Sequence, residues 1–239
     1  MDVAIVIGVG PAQGLGAALC RRFAGHGFHV VAAGRTQAKV DAVADAVRAA
    51  GGQASGVATD VTREADIVAL FERARALGAV KLVVYNAGNN MPGTLAAMDA
   101  AYFEQAWRIG CLGGFVTARE ALRTMDAGGG TLLFTGASAS LRGKANFGAF
   151  AAAKAGLRAL AQAAAKEGGP RGIHVGHVVI DGVIDGDKAR EKFPDYVAKL
   201  GADGVIGLDA IVDAYEFLWR QPAGGWSFEL DLRTAIESW

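Results

Sequence analysis

Short β-branched runs alternate with helical stretches along this chain, and that alternation restricts its fold more than any other feature. Asp2–Gly8 (DVAIVIG), Phe28–Ala33 (FHVVAA), Gln53–Ala58, Val80–Tyr85 (VKLVVY), Thr131–Thr135 (TLLFT), Ile173–Ile180 (IHVGHVVI) and Trp226–Leu232 (WSFELDL) read as strands. Between them, Leu15–Ala24, Gln37–Ala50, Arg63–Leu77, Tyr102–Met125 and Phe147–Glu167 carry helical spacing, and shorter helices are expected near 187–200 and 208–220. Thr62 is the expected cap of the third helix. Strand and helix in regular succession predict an α/β fold, a doubly wound parallel sheet with helices on both faces. No linker, low-complexity stretch or internal repeat interrupts the pattern, so residues 1–239 are expected to form a single domain.

Composition excludes several classes. With 239 residues, 52% of them hydrophobic, the chain can bury a sizeable core. Lys+Arg and Asp+Glu both number 24, so no charge excess points to nucleic acid or to an anionic membrane. The apolar runs are too short for a membrane helix. Cys20 and Cys111 lie far apart without a CxxC partner, which excludes zinc and thioredoxin-type chemistry, and no metal site is expected. Both are read as buried free thiols. Together with the lack of a cationic leader before the first strand, they predict a cytoplasmic protein.

In an open parallel sheet, ligands sit beyond the carboxyl ends of the strands, so the residues just after each strand matter most. The first strand is followed by Gly10, Gly14 and Gly16, with Leu15 between the last two. Bare backbone at a strand-to-helix turn lets N–H groups approach a pyrophosphate at the helix N-terminus. The second strand ends in Gly34-Arg35, where an NAD site would want a carboxylate for the ribose 2′-hydroxyl; Arg35 can instead meet a 2′-phosphate. Asp60-Val61 follows the third strand and Asn86-Ala87-Gly88 the fourth. Lys154 lies in the Ala-rich helix.

These elements, in this order and at these spacings, resemble the short-chain dehydrogenase/reductase family over essentially the whole chain. The resemblance implies a Rossmann-like oxidoreductase acting on a small molecule with a nicotinamide cofactor. It implies that the Gly10–Gly16 loop holds the pyrophosphate, and that Asp60, beside Val61, bonds the adenine amino group. Asn86, Ala87 and Gly88 would line the nicotinamide ribose, and Lys154 would bind its hydroxyls. Gly182 stands where the family's loop after the last long strand meets the cofactor. Arg35 without an acidic neighbour resembles the NADP-preferring members, so NADP is expected over NAD. The resemblance further implies a lid over about 182–205 and a homodimer or homotetramer. Its interfaces would be the long helices 102–125 and 147–167 and the last strand.

The departures fall on the family's proton relay. The Tyr-x-x-x-Lys motif reads Phe150-Ala-Ala-Ala-Lys154, and no other tyrosine has a lysine four residues on. The usual serine position is Ala137, with Ser138 one residue later; the helix asparagine position is Gly110; the usual Pro-Gly is Asp181-Gly182. Three of four catalytic positions lose their polar group, so the chain resembles a divergent member lacking the catalytic Ser and Tyr. A positioned general acid is worth roughly 10²–10⁴ in rate. Restoring carbonyl reduction is therefore expected to need Gly110→Asn, Ala137→Ser and Phe150→Tyr together.

Substitute proton donors are sought near Lys154. Asp181 is the foremost, because burial beside apolar neighbours would raise a carboxyl there. Ser138 is a displaced alternative, and water or the substrate itself remain open. His177, mid-strand, reads as a core or face histidine. Phe147, Phe150, Phe193 and Tyr196 predict an apolar or aromatic substrate. Two classes stand side by side: an NADP(H)-dependent oxidoreductase with an unorthodox donor, or a catalytically silent NADP(H)-binding or regulatory protein.

Overall fold

In a computed structural model, residues 1–88, 90, 92–125 and 128–236 are described. Seven strands form one parallel sheet: β1 (Asp2–Ile7), β2 (His29–Gly34), β3 (Gln53–Ala58), β4 (Ala79–Tyr85), β5 (Gly130–Thr135), β6 (Ile173–Asp181) and β9 (Glu229–Arg233). Their order across the sheet is β3-β2-β1-β4-β5-β6-β9, and every pairing is parallel. The direction of winding reverses between β1 and β4, which places the topological switch point at the carboxyl end of β1. The helices α1 (Leu15–Gly25), α2 (Gln37–Ala49), α3 (Glu64–Leu77), α4 (Ala100–Trp107), α5 (Gly113–Thr124), α6 (Gly148–Gly168) and α9 (Leu208–Arg220) cover the two faces.

The apolar residues divide between those faces. Ala4, Val6, Val30, Ala32, Leu82 and Val84 pack under α1, α2 and α9; Val3, Ile5, Ile7, Val31, Val83 and Tyr85 pack under α3, α5 and α6. Alternate residues of one strand thus serve opposite cores, which is why these strands read as continuous apolar runs. The single-domain, doubly wound fold expected from the alternation is the fold observed.

Several local expectations need correction. The helix expected over 102–125 is two α-helices joined by a π-helical turn, Arg108–Leu112. Gly110, inside that turn, lies so close to α6 that a Cβ there would sit 2.7 Å from Ala153 Cβ. The Tyr85 hydroxyl donates to Ile109 O, satisfying a carbonyl in the widened turn. Thr62 does not cap the third helix. Arg63 is the cap residue, and both the Thr62 N–H and its hydroxyl donate to Asp60 Oδ1. The helix near 187–200 is broken into α7 (Asp187–Lys192) and α8 (Pro194–Leu200), because Pro194 starts a new helix. Two short strands had no sequence signal, β7 (Val183–Asp185) and β8 (Val205–Gly207); they pair in parallel at the base of the excursion carrying α7 and α8.

Among the described residues, no helix is long and apolar enough to cross a membrane. No group of His, Cys, Asp and Glu there could hold a metal ion. Cys20 and Cys111 are buried free thiols, and burial pushes the Cys20 thiol up to about 12.

Candidate active site

The glycine-rich turn is built on two close approaches. Gly8 leaves β1 at φ +95°, and a Cβ there would lie 2.6 Å from Ala87 N, so the first turn passes against the segment after β4. Gly16 lets α1 settle on the strand it follows, since a Cβ would fall 2.9 Å from Gly8 O. Gly10 faces open space. Gly14 is the N-terminal cap residue of α1, and Leu15 opens the helix. The N–H groups of that first turn have no intrahelical acceptor and point out beyond the sheet. Gly8 was absent from the sequence pattern, which began at Gly10. Its signal was available, as a glycine directly ending a β-branched run.

Next to this turn, Gly34 closes β2, where any side chain would run into Val9 O. Arg35 then emerges exposed, and its positive charge acts on Asp60. Burial would raise the Asp60 carboxyl. The Thr62 hydrogen bonds and the charges of Arg35 and Arg63 outweigh it, so it stays below the ordinary carboxylate range. Val61 is buried.

Thr135, at the end of β5, links the Asn86 and Lys154 sides of the crevice. Its hydroxyl donates to Asn86 Oδ1 at 3.0 Å, and the buried Tyr215 hydroxyl lies 2.6 Å from the Thr135 oxygen. Asn86 is further fixed by its backbone bond to Ile7 O (2.8 Å) and by its side-chain amide to Gly8 O (3.3 Å). Lys154 Nζ donates to Thr135 O at 2.6 Å and stands 3.6 Å from where a Gly88 Cβ would be. Lys154 is buried, without a carboxylate partner among the described residues. Desolvation, with a smaller push from the Lys188 charge, lowers its ammonium to about 8. The Phe150 ring centroid lies 5.9 Å from Lys154 Nζ.

The two substitute donors named from sequence are placed differently from what proton transfer asks. Asp181, the last residue of β6, is 2% exposed, but its surroundings are not apolar. Its Oδ2 accepts from Arg142 Nη2 (2.9 Å) and pairs with Arg233 Nη1 (2.8 Å). The carboxylate therefore ties the segment after β5 and the end of β9 to β6. Ser138 starts the 3₁₀ turn Ser138–Ser140, and its carbonyl accepts from Leu141 N and Arg142 N. Gly182, next to Asp181, packs toward Ile206 of the β7–β8 ribbon.

A part-buried polar chain that the sequence did not announce runs from Arg158 to the backbone of Ala137. Arg158 forks onto Glu229 (2.6 and 2.9 Å), Glu229 Oε2 accepts from His177 Nδ1–H (2.9 Å), and His177 Nε2 faces Ser140 Oγ at 3.4 Å. Ser140 Oγ in turn accepts from Ala137 N at 3.1 Å. Burial lowers His177 more than the Glu229 carboxylate raises it, so the ring is neutral near pH 7 and can accept at Nε2. Its ring fills the space a side chain at Gly136 would need. This chain holds the backbone at Ala137 in place.

The excursion over 182–205 closes onto the glycine-rich turn. Gln13 N donates to Asp187 Oδ2 at 2.9 Å, and Asp187 N donates back to Gln13 O at 3.0 Å. Phe193 and Tyr196 on this excursion are exposed, whereas Phe147 and Phe150 are half-buried.

Known proteins are similar to this chain. The short chain dehydrogenase family model matches residues 2–196. The chain belongs to that family. Cis-4-hydroxycyclohexanecarboxylate dehydrogenase of Sinomonas cyclohexanicum is 36% identical over 221 residues, 90% of this chain and 88% of that protein. The uncharacterized oxidoreductase YuxG of Bacillus subtilis is 36% identical over 186 residues, 74% of this chain but only 26% of that longer protein. Among solved structures, a short-chain dehydrogenase from Rhodopseudomonas palustris superposes with a TM-score of 0.83 at 34% identity, covering 97% of this chain and 98% of that one. A metagenomic short-chain oxidoreductase in complex with NADP gives 0.83 at 25% identity, covering 99% and 98%. The short-chain dehydrogenase chain described here is thus an oxidoreductase by type, on a fold that binds nicotinamide cofactors.

Proposed function

We propose that this short-chain dehydrogenase is an NADP(H)-dependent oxidoreductase whose proton relay works without the tyrosine. The observation that carries the reading is the convergence of five strand ends on one crevice, with Lys154 buried at its floor. Its ammonium has a single acceptor among the described residues, Thr135 O. The residues fit a dinucleotide: Gly10 opens onto free space, and α1 begins at the turn with unsatisfied N–H groups. Gly10, Gly14, Leu15 and Gly16 would hold the pyrophosphate, Arg35 the 2′-phosphate, and Asp60 with Val61 the adenine. Asn86, Ala87, Gly88 and Lys154 would hold the nicotinamide ribose, with Gly182 at the base of the lid. The bound nicotinamide supplies or accepts the hydride.

The chain's own task is then the proton. Asp181 is committed to two arginines, and among the described residues the Ser138 side chain has no hydrogen-bond partner. Lys154 Nζ carries protons, is poised near neutrality, and faces Phe150 where a hydroxyl would otherwise stand between it and the substrate oxygen. In this reading Lys154 gives a proton to the oxygen or nitrogen left by reduction and takes a new one from solvent. An apolar Phe150 and half-buried Phe147 favour an apolar or aromatic substrate, and the relative acting on an alicyclic hydroxy acid makes ring alcohols and ketones the first compounds to try. The test is a single-turnover assay of NADPH oxidation with cyclic ketones, activated alkenes and imines. The same loss of polar groups at Phe150, Ala137 and Gly110 favours a second reading, a dinucleotide-binding protein that does not turn over. Complete inactivity of an NADPH-loaded protein toward all three classes would select it.

Assembly is part of the proposal. Trp107 and Phe115 are exposed on the α4–α5 face beside Cys111, Leu112, Gly156 and Leu160, forming a shallow apolar groove with α6. Small residues on α6 let a second copy approach closely, giving a homodimer or, with the last strand, a homotetramer. Sedimentation at micromolar concentration tests this, and a monomer contradicts it. The buried thiols suit a reducing cytoplasm.

A further inference from the structure

Lys154 and Arg158 stand one turn apart on the same face of α6, and both reach the end of β5, by different routes. Lys154 reaches it directly, through the Thr135 carbonyl at 2.6 Å. Arg158 reaches it through Glu229, His177 and Ser140, a route that ends on the N–H of Ala137. The two routes close a ring around residues 135–137. Gly136, between the two anchored residues, donates its N–H to Val178 O at 2.7 Å and has no room for a side chain, because the His177 ring fills that space. Within the Arg158 route, the direction of each bond follows from the one before. The Glu229 carboxylate only accepts, so it takes the His177 Nδ1–H bond and leaves Nε2 with its lone pair. Nε2 accepts from the Ser140 hydroxyl, and the Ser140 oxygen is then free to accept from Ala137 N. His177 and Ser140 are buried, and the His177 ring is stacked on Phe228, so bulk water does not replace a lost partner there.

We infer that His177 is a positioning residue for Lys154: through Ser140 it clamps residues 135–137 and so keeps the Thr135 carbonyl on the Lys154 ammonium. The inference rests on the reading of Lys154 as the proton donor. Thr135 O is the ammonium's acceptor among the described residues, so a carbonyl that drifts holds the charged form less well, while the neutral amine loses little. A loosened clamp therefore misplaces the proton and moves the loss of that proton to lower pH. The charge of Lys188 acts on Lys154, and the charges of Glu229, Lys154 and Arg158 act on His177. All of these charges stay in place in the variants below.

The test compares three variants of the full chain. His177→Phe keeps a ring and removes both its bonds. His177→Gln puts one donor and one acceptor back on an amide. Ser140→Ala opens the chain without touching β6, and carries the test where His177→Phe does not fold. Single-turnover NADPH oxidation by a reducible cyclic ketone is followed across pH, and NADPH affinity is measured by calorimetry. In His177→Phe and Ser140→Ala the rate at neutral pH is expected to fall roughly 10- to 100-fold, as for a misplaced catalytic group, at native NADPH affinity. The alkaline fall in rate is expected to move down by about one pH unit, because part of a hydrogen bond to a charged group is lost. His177→Gln is expected to recover both. A lower melting temperature with native rate and an unmoved alkaline fall overturns the inference, since the chain then serves stability alone. Loss of NADPH affinity in step with the rate overturns it too, as does a His177→Gln variant no better than His177→Phe. Native protein without turnover, or with turnover but no alkaline fall, overturns the Lys154 reading itself, and this inference with it.

Discussion

Lys154 Nζ lies 5.9 Å from the centroid of the Phe150 ring and donates its one described hydrogen bond to the carbonyl of Thr135. An ammonium in that position is desolvated on one side by an aromatic ring and held on the other by a neutral acceptor. Among the described residues no anion balances it, and burial, with a smaller push from the Lys188 charge, lowers its proton affinity.

A stability consequence follows from that burial. In the unfolded chain Lys154 titrates at its ordinary value of 10.5, and in the folded chain at about 8. The unfolded state binds more protons between those limits, so the unliganded protein gains stability as pH rises from about 8 to 10.5. Below that window the buried charge costs about 3 kcal/mol. Lys154→Met is therefore expected to stabilise the unliganded protein at pH 7 in chemical denaturation and to flatten that alkaline rise. A destabilised variant at pH 7 would place the balance with the Thr135 bond.

Asp181→Asn is expected to act on stability. Removing the charge leaves Arg142 and Arg233 without their shared carboxylate, and breaking a buried pair this way costs about 3 kcal/mol. Arg142 is partly exposed, which lowers the figure. Thermal unfolding should show the loss, while NADPH affinity stays native. Unchanged stability with lost turnover would return Asp181 to the proton path.

Gly110 has no room for the asparagine that the triple change would put there. With its Cβ position 2.7 Å from Ala153 Cβ, Gly110→Asn is expected to destabilise by roughly 1–3 kcal/mol, the range for overpacking. A repaired centre should therefore carry Ala137→Ser and Phe150→Tyr and keep the glycine. Circular dichroism melts of the single variant check the first statement. Carbonyl reduction by the double variant, against the triple, checks the second.

The succession of strands and helices is legible in the sequence, and so are the residues that stand just after the strands, because each depends on local pattern. A β-branched run ending in glycine, an arginine after Gly34, and Asn86-Ala87-Gly88 all declare themselves within a few residues. What stayed hidden is non-local. Asp181 meets Arg142 and Arg233 from two other segments, and Ser140, His177, Glu229 and Arg158 form one chain from four elements. Gly110 reads as a deleted asparagine until Ala153 is seen against it. Thr135, which joins Asn86 to Lys154, carries no motif at all.

The most direct test of an NADP(H) oxidoreductase that protonates through Lys154 is the pH dependence of single-turnover NADPH oxidation with a reducible cyclic ketone, in native protein and in Lys154→Arg. Reduction needs the protonated ammonium, so the native rate should hold at low pH and fall as pH rises through about 8. The fall should vanish in Lys154→Arg, whose guanidinium keeps its charge but transfers a proton poorly, leaving a slow, flat profile. A native rate that does not change through that range, or a Lys154→Arg variant matching native speed and profile, would contradict the account.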